Sequence, residues 1–330
     1  MKKKIAIIEE PGAAAEATEQ AAKVLKAVAE QYEHLFEFTS VLPDLSAPHL
    51  SQDSKDIIAV ADAVLFAGSA AAEVIQKEFP LFAIAQPVVV YHSLHHLSPL
   101  KNKYIENVNL ILYQEPTLTA GEGSRRRIAQ SAFEQASGRK QKITFIRTSE
   151  AAGSTASWQP LLTQYGKEYP GVLIEHMEIS NAIRAFMHHP ADFDVIITNM
   201  DAGYYLFHQA AALSGTPAMI PSVLATEHSS FFGPAFGIKD ADTGKNQVNP
   251  AGTILAAAIM LNYFNMHEEA LIVRTAVNWT LLHGFVAKDI DPVNNYSTST
   301  IGELISDFIR GSIPGFAKGE NMALQKSTII

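Results

Sequence analysis

The sequence predicts an α/β fold, and two observations support this prediction. Short apolar runs recur along the chain and alternate with longer segments of helical character, and such alternation is typical of layered α/β architecture. The 330 residues, 47% of them hydrophobic, are also enough to bury a large core. A chain of this size forms two domains or one large α/β unit.

The individual elements follow from these runs. Strands are predicted at residues 4–8, 61–68, 88–91, 110–113, 143–146 and 195–198. Helices are predicted at about residues 15–32, 126–136, 155–169, 206–213, 251–265, 268–283 and 301–310. No internal repeat and no low-complexity linker marks a domain boundary.

Composition excludes several classes of protein. The chain has no cysteine, so disulfides, thiolate metal sites and cysteine nucleophiles are ruled out. A net charge of −9 without a basic patch argues against nucleic acid or an anionic membrane as partner. No apolar stretch approaches the ~20 residues needed to cross a bilayer, and no signal-peptide core is present. A cytoplasmic protein is therefore expected.

Collinear motifs run along essentially the whole chain. Residues 168–172 read EYPGV, residues 175–177 read EHM and residues 193–196 read FDVI. Further motifs are DAVLFAG at 62–68, LSPLK at 97–101, RIAQSAFE at 127–134, GK at 244–245 and NP at 249–250. This ordered set resembles the β-decarboxylating dehydrogenases, the isocitrate/3-isopropylmalate dehydrogenase family, as a degenerate member.

The resemblance implies a fold and an assembly. The fold would be isocitrate/isopropylmalate dehydrogenase-like, with two α/β domains that share one continuous twisted sheet. A large, discontinuous, nucleotide-side domain would comprise residues 1–97 and 216–330, and a small domain would comprise residues 98–215. An arm around residues 140–180 would dock against the partner subunit of a homodimer. A small-molecule ligand would occupy the interdomain cleft.

The family's reaction sets three chemical requirements. Cationic groups, best supplied by bidentate arginine, must hold the carboxylates of a 2-hydroxy acid. Carboxylates must hold a hard divalent ion that polarises the hydroxyl group. A lysine and a tyrosine must transfer protons. Alignment on the matched motifs tests each requirement in this chain.

The substrate-binding and catalytic positions differ from the family. The three arginine positions are occupied by Gln76, Gln86 and Tyr113. Neutral amides cannot neutralise a bound dicarboxylate, and each lost charge-assisted bond forfeits about 1.5–3 kcal/mol. The tyrosine and lysine positions fall on Ala120 and Thr148. We therefore expect the family's proton transfer to be absent.

The metal positions differ as well. Two aspartates of the family become Tyr204 and His208, and the third, donated by the partner subunit, becomes Ser180. Tyrosine, histidine and serine do not bind Mg²⁺ or Mn²⁺ as three carboxylates would. No metal site is therefore expected at these positions.

Some of the family's nucleotide-binding residues are retained in this chain and others are replaced. Asn249, Gly244 and Lys245 persist, and Phe236 replaces a histidine that stacks on adenine. The acidic ribose contact falls on Ala241, although a register shift would supply Asp240 or Asp242. No cofactor is expected, while binding of NAD(P) stays open.

The remaining notable residues are histidines and aromatics. His92, His95 and His96 are close in sequence, His188 and His189 are adjacent, and Tyr204 and His208 have i,i+4 spacing. Solvated or core histidines are favoured over a transition-metal site, because no metal motif is present. Phe231–Phe232 and Tyr204–Tyr205 stand where the family is polar, and packing as core is favoured over a cleft remodelled for an apolar ligand.

Three functional hypotheses follow. The favoured one is an inactive or repurposed homodimeric paralogue. The second is a working NAD(P)- and Mg/Mn-dependent oxidative decarboxylase of 2-hydroxy acids with a divergent site. The third is a different enzyme built around His208, Tyr204, Gln86 and Tyr113. A fold does not fix a function, and in this chain the site residues argue against the usual one.

Overall fold

The computed structural model describes residues 1–43, 49–116, 121–147, 152–238 and 245–312, with backbone only at 152–156. Two compact units divide the chain. Unit 1 comprises residues 1–79 and 218–224 together with the chain from His228 onward. Unit 2 comprises residues 80–217 and 225–227.

Strands and helices alternate along the described residues. The first half contains β1 (Lys2–Ile8), α1 (Ala13–Tyr32), β2 (Leu35–Val41), α2 (Gln52–Ala59), β3 (Ala63–Leu65), α3 (Ser69–Glu78), β4 (Leu81–Val89), α4 (Asn102–Ile105), β5 (Asn109–Glu115), α5 (Glu122–Ser137) and β6 (Lys142–Arg147). The second half contains α6 (Ala152–Glu168), β7 (Leu173–Glu178), α7 (Ile179–His188), β8 (Val195–Asn199), α8 (Met200–Leu213), β9 (Pro221–Thr226), β10 (Ser230–Pro234), α9 (Ala251–Tyr263), α10 (His267–Leu282) and α11 (Thr298–Arg310). Short 3₁₀ turns lie at His92–Leu97, Pro190–Asp192 and Pro217–Met219.

The strands of each unit pair in a sheet that packs against helices, which confirms the predicted α/β class. Unit 1 holds the strand order β2-β1-β3-β10-β9, in which β1 pairs in parallel with both β2 and β3. Helix α9 is apolar around its whole circumference, and residues 251–262 are all buried. Because such a helix has no polar face for solvent, it forms the centre of a helical layer with α1 and α10.

Unit 2 holds the strand order β4-β5-β8-β6-β7. Strand β4 runs antiparallel to β5, whereas β5, β8, β6 and β7 are parallel to their neighbours. Helices α5 and α6 pack together, and so do α7 and α8. The carboxyl ends of β5 and β8 lie side by side, with Glu115 in register with Asn199.

The boundary between the units differs from the expected one. Residues 80–97 belong to unit 2, because β4 pairs with β5 from Ile84↔Gln114 to Val89↔Asn109. Residues 140–180 hold β6, α6 and β7, and both strands pair within unit 2. Docking of this region on a partner subunit stays a prediction.

Candidate functional site

A pair of buried glutamines lies on strands β4 and β5 of unit 2. Gln86 on β4 lies opposite Leu112 of β5, so its side chain shares a sheet face with Leu112 and with Gln114, two residues further along. Gln114 Nε2 donates a hydrogen bond to Gln86 Oε1 at 2.5 Å. Both side chains are buried, and the pair carries no charge.

Helix α8 covers this amide pair. Its N-terminus is capped by Asn199, whose Oδ1 accepts a hydrogen bond from the Ala202 N–H at 3.0 Å. A Cβ atom at Gly203 would lie 2.7 Å from Cδ of Gln114. The first turn of α8 therefore lies directly on the Gln114 side chain because residue 203 has no side chain of its own.

Tyr113 lies on the opposite face of the sheet from Gln86. Its strand partner is Ala85, so its side chain alternates away from Gln86 and Gln114. The residue is buried, and burial raises the pKa of its phenol well above the ordinary value. Gln76 is exposed on α3 of unit 1. Gln86 and Tyr113 stand at two of the family's arginine positions. Because they lie on opposite faces of the sheet, they do not converge on one ligand group.

A buried carboxylate at the end of β5 was not anticipated from the sequence. Glu115 is 3% exposed. It pairs with Arg125 of α5, at 2.7 Å between Oε1 and Nε, and accepts a hydrogen bond from Trp158 Nε1 at 3.0 Å. The sequence signal was an acidic residue that ends a buried strand, but nothing in the sequence placed Trp158 beside it. The contacts tie α5 and α6 to the end of β5.

The residues at the expected metal positions form an aromatic surface. The rings of Tyr204 and His208 lie 4.3 Å apart between centroids, as their i,i+4 spacing predicts. Tyr204 is 58% exposed, and both His208 and Ser180 are exposed. Within the described parts of the chain, no three His, Cys, Asp or Glu side chains are grouped to hold a metal ion. This donor set does not fit Mg²⁺ or Mn²⁺.

Several expected site positions fall outside the described residues. These are the two catalytic positions, the glycine of the GK motif and the three candidate ribose contacts: Ala120, Thr148, Gly244, Asp240, Ala241 and Asp242. Lys245 is described and exposed.

Asn249, which stands at a cofactor-binding position of the family, forms hydrogen bonds within unit 1. Its Oδ1 accepts a hydrogen bond from the Ala251 N–H at 3.0 Å, at the start of α9. Its Nδ2 donates to Asp289 at 3.2 Å. The residue is 8% exposed. The amide therefore has a structural role at the N-terminus of α9.

The segment that holds Phe236 lies against the start of α3. A β-bridge joins Gly68 to Ile238, and a Cβ atom at Gly237 would lie 2.4 Å from Cα of Ser69. Phe236 itself is partly buried. The backbone of this segment is thus packed within unit 1.

Gly233 lies beside the ring of Phe66. A Cβ atom at this position would lie 2.5 Å from the ring, which is fully buried. The Phe66 ring therefore takes the space that a side chain at residue 233 would need.

Glu10 places a carboxylate at the N-terminus of α3. It is 4% exposed, and its Oε2 accepts a hydrogen bond from the Ala71 N–H at 3.0 Å. A Cβ atom at Gly68 would overlap this carboxylate. Because helix N-termini attract anions, Glu10 fills a position that an external anion would otherwise take. No sequence pattern indicated this contact.

The two aromatic pairs have different environments. Phe231 and Phe232 are 0% and 1% exposed, which confirms that they pack as core. The expectation of core packing was wrong for Tyr204 and Tyr205, which are 58% and 62% exposed. Both tyrosines lie on α8, on the side turned away from the sheet.

Comparison with known proteins defines the family. The isocitrate/isopropylmalate dehydrogenase model matches residues 117–305. The 3-isopropylmalate dehydrogenase of Priestia megaterium is 30% identical, covering 90% of this chain and 92% of that protein. The 3-isopropylmalate dehydrogenase of Thermotoga maritima is 31% identical, covering 92% and 98%. The chain therefore belongs to the isocitrate/isopropylmalate dehydrogenase family.

Solved structures agree at the level of the fold. A β-decarboxylating dehydrogenase of Thermococcus kodakarensis, in its apo form, superposes with a TM-score of 0.79 at 20% identity, covering 96% of this chain and 100% of that one. An isocitrate dehydrogenase of Methylococcus capsulatus gives a TM-score of 0.76 at 18% identity, covering 93% and 99%. Across the described residues, no helix is both long enough and apolar enough to span a membrane.

Proposed function

We propose that this family member no longer carries out NAD(P)- and metal-dependent oxidative decarboxylation and persists as a repurposed, homodimeric paralogue. The observation that carries the proposal is the buried Gln86–Gln114 amide pair. Gln86 stands at one of the family's arginine positions, yet it is neutral and accepts a hydrogen bond from Gln114, whose side chain is covered by α8 at Gly203. A dicarboxylate needs cationic donors, and this pair supplies none.

The metal positions support the same proposal. Tyr204, His208 and Ser180 offer two hydroxyl groups and an imidazole in place of three carboxylates. Hard divalent cations prefer carboxylate and carbonyl oxygens. The proposal therefore contains no step that depends on Mg²⁺ or Mn²⁺.

Residues of unit 1, on which the family's nucleotide-binding positions fall, support the proposal independently. Asn249 accepts a hydrogen bond at the N-terminus of α9 and Glu10 accepts one at the N-terminus of α3, so two polar side chains already have partners inside unit 1. Phe66 fills the space beside Gly233. We propose that the affinity for NAD(P) is weak or absent.

A homodimer is part of the proposal. Tyr204 and Tyr205 on α8 and Met187 on α7 are 58%, 62% and 42% exposed. These two helices pack together, so the three exposed side chains belong to one helix pair. Such a surface is typical of a contact with another subunit.

The test is an assay together with a binding measurement on the full chain. Purified protein is incubated with NAD⁺ or NADP⁺, Mn²⁺ or Mg²⁺, and isocitrate or 3-isopropylmalate, and formation of the reduced nucleotide is followed. Thermal unfolding is recorded with the same components, because a ligand that binds the native state raises the melting temperature. The proposal expects neither turnover nor a dose-dependent shift.

A dose-dependent shift with nucleotide, metal and acid together, accompanied by turnover, would restore the working dehydrogenase. An active 3-isopropylmalate dehydrogenase assayed in parallel controls for the reagents. The variant Gln86→Arg examines the central observation separately. If the amide pair is a structural element, this variant loses stability and gains no affinity for either acid.

A further inference from the structure

Two histidines of unit 2 lie side by side on one short helical turn. His92 and His95 belong to the 3₁₀ turn His92–Leu97. Because a 3₁₀ helix has three residues per turn, side chains at i and i+3 are eclipsed. The ring centroids are 4.8 Å apart, with an interplanar angle of 62°. His96, on the same turn, is exposed and falls on a different side.

His95 has an unsatisfied ring nitrogen. The residue is 7% exposed, and its Nδ1 is buried without a hydrogen-bond partner. A buried polar atom without a partner requires an explanation, such as an ion or a water molecule. Burial lowers the pKa of His95, and the neighbouring His92 lowers it further, against an opposing effect of Glu106. A neutral imidazole nitrogen is the group that binds a metal ion.

The backbone of this turn is fixed from both ends. The Leu94 N–H donates to the Tyr91 carbonyl at 2.9 Å, and the Ser98 N–H donates to the His95 carbonyl at 3.2 Å. Gly215 lies against the turn in a left-handed conformation, with φ of 86°. A Cβ atom there would lie 2.7 Å from Cβ of Leu97. The backbone that carries the two imidazoles is thus held in place.

We propose that His92 and His95 form a two-imidazole site for a borderline divalent transition metal such as Zn²⁺, Ni²⁺ or Cu²⁺. Imidazole suits these ions. With a metal–nitrogen distance of about 2.1 Å, two rings on one ion at cis or tetrahedral angles have centroids about 4.5–5.2 Å apart. The observed 4.8 Å falls within this range.

The described residues offer no third histidine or carboxylate ligand, so water completes the coordination. The resulting site has open positions and a modest affinity. The His92–His95 site does not include Tyr204, His208 or Ser180, which stand where the family has metal-binding carboxylates. The inference therefore does not depend on the proposed loss of dehydrogenase activity.

Metal titration of the full-length chain tests the proposal. Zn²⁺ and Ni²⁺ are titrated calorimetrically into the wild type, His92→Ala and His96→Ala. His96 is the matched control, because it is an exposed histidine on the same turn. We expect one equivalent to bind the wild type and His96→Ala alike, and His92→Ala to bind at least about tenfold more weakly. The variant His188→Ala examines the other adjacent pair, His188–His189, whose ring centroids are 6.3 Å apart.

Nickel broadening of histidine resonances gives a second readout. Paramagnetic Ni²⁺ should broaden the imidazole signals of His92 and His95 first, and binding should weaken on acidification because protons compete for the imidazoles. Equal binding by His92→Ala and the wild type would overturn the proposal. So would a loss of binding in His96→Ala or His188→Ala instead, or no saturable binding to the wild type.

Discussion

Asp194 and Arg139 form the most deeply buried ion pair among the described residues. Their side chains are 0% and 3% exposed, with 2.7 Å between Oδ1 and Nε. Arg139 also donates to the carbonyl and side-chain oxygens of Asn109. Removing one partner of a buried pair leaves an uncompensated charge, which costs far more than an exposed pair contributes.

The first prediction concerns this pair. Asp194→Ala should lower the free energy of unfolding by about 3–5 kcal/mol, because the guanidinium of Arg139 would stay buried without its counter-charge. The matched control is the exposed pair Arg127–Glu227, at 40% and 58% exposure, where Glu227→Ala should cost less than about 1 kcal/mol. Urea unfolding monitored by circular dichroism measures both variants. Equal losses in the two variants would contradict the prediction.

The second prediction concerns the contact between α8 and the amide pair. Gly203→Ala should destabilise the chain by about 1–3 kcal/mol, because the added methyl group meets Gln114, which is held in place by Gln86. The control is Gly123→Ala in α5, where no atom lies within 4 Å of the added Cβ. That change should be neutral or stabilise the helix by up to about 1 kcal/mol. Thermal unfolding distinguishes the two signs, and a harmless Gly203→Ala would mean that α8 does not rest on Gln114.

At the scale of elements, one carboxylate joins α2 to the end of α3. Glu78 accepts hydrogen bonds from His49 at 2.7 Å and from the Leu50 N–H at 3.1 Å, and lies 3.1 Å from the Lys55 ammonium. Burial alone would raise the pKa of Glu78, but these partners outweigh burial and lower it below the ordinary value.

The third prediction is the pH dependence of this contact. Because the folded-state pKa is lowered, the stabilisation is present above the unfolded value of about 4.3 and is lost as the pH falls through the folded value. Glu78→Gln should therefore lose stability near neutral pH and show a shallower acid dependence than the wild type. Melting temperatures across the acid range test this, with Glu73→Gln on the exposed side of α3 as control. Parallel pH profiles for Glu78→Gln and the wild type would rule the linkage out.

The elements differ in how well the sequence predicts them. Helix α9 was predictable because its apolar residues form one long run, and β5 because its residues are almost all buried. Strands β2 and β7 were missed because both are edge strands whose residues are mostly half-buried or exposed, so their apolar character is too weak for a run-based prediction. Strands β9 and β10 were missed although nearly all of their residues are buried, because serine, threonine, glycine or proline interrupts each apolar run.

Sequence analysis likewise predicted one part of the candidate site and missed another. Alignment with the family motifs assigned Gln86 to an expected arginine position, since no gap separates it from its anchors. It could not supply the partner Gln114, because that contact depends on the antiparallel register of β4 and β5. The contact of Trp158 with Glu115 joins residues 43 positions apart, which no local pattern encodes. Partners fixed by strand pairing and helix packing were therefore beyond sequence analysis.

At the scale of the whole molecule, several polar side chains have partners inside their own unit. Gln86 bonds Gln114, Asn249 accepts a hydrogen bond from the first N–H of α9, and Glu10 accepts one from the first turn of α3. A ligand that used these groups would have to displace an existing hydrogen bond in each case. Such displacement leaves buried groups unpaired, at about 1–3 kcal/mol for each group. These internal contacts support the proposal that the chain does not bind the family's substrates.

The fourth prediction concerns assembly. Tyr205 is 62% exposed on α8, and the proposed homodimer buries this side of α7 and α8 against a second copy. Tyr205→Asp places a charge in that interface and should shift the chain from dimer to monomer, because a charge buried without a partner opposes association. Val293→Asp is the matched control, since Val293 is an apolar residue of unit 1 with 83% exposure.

Size-exclusion chromatography with light scattering gives the mass of each variant over a range of concentrations. The wild type and Val293→Asp should elute as dimers, and Tyr205→Asp should dissociate at concentrations at which they do not. A far-ultraviolet spectrum of Tyr205→Asp matching the wild type establishes that the variant is folded, because the exposed tyrosine contributes little to the core. A monomeric wild type would refute the homodimer, whereas a dimer that tolerates Tyr205→Asp would place the interface on another surface.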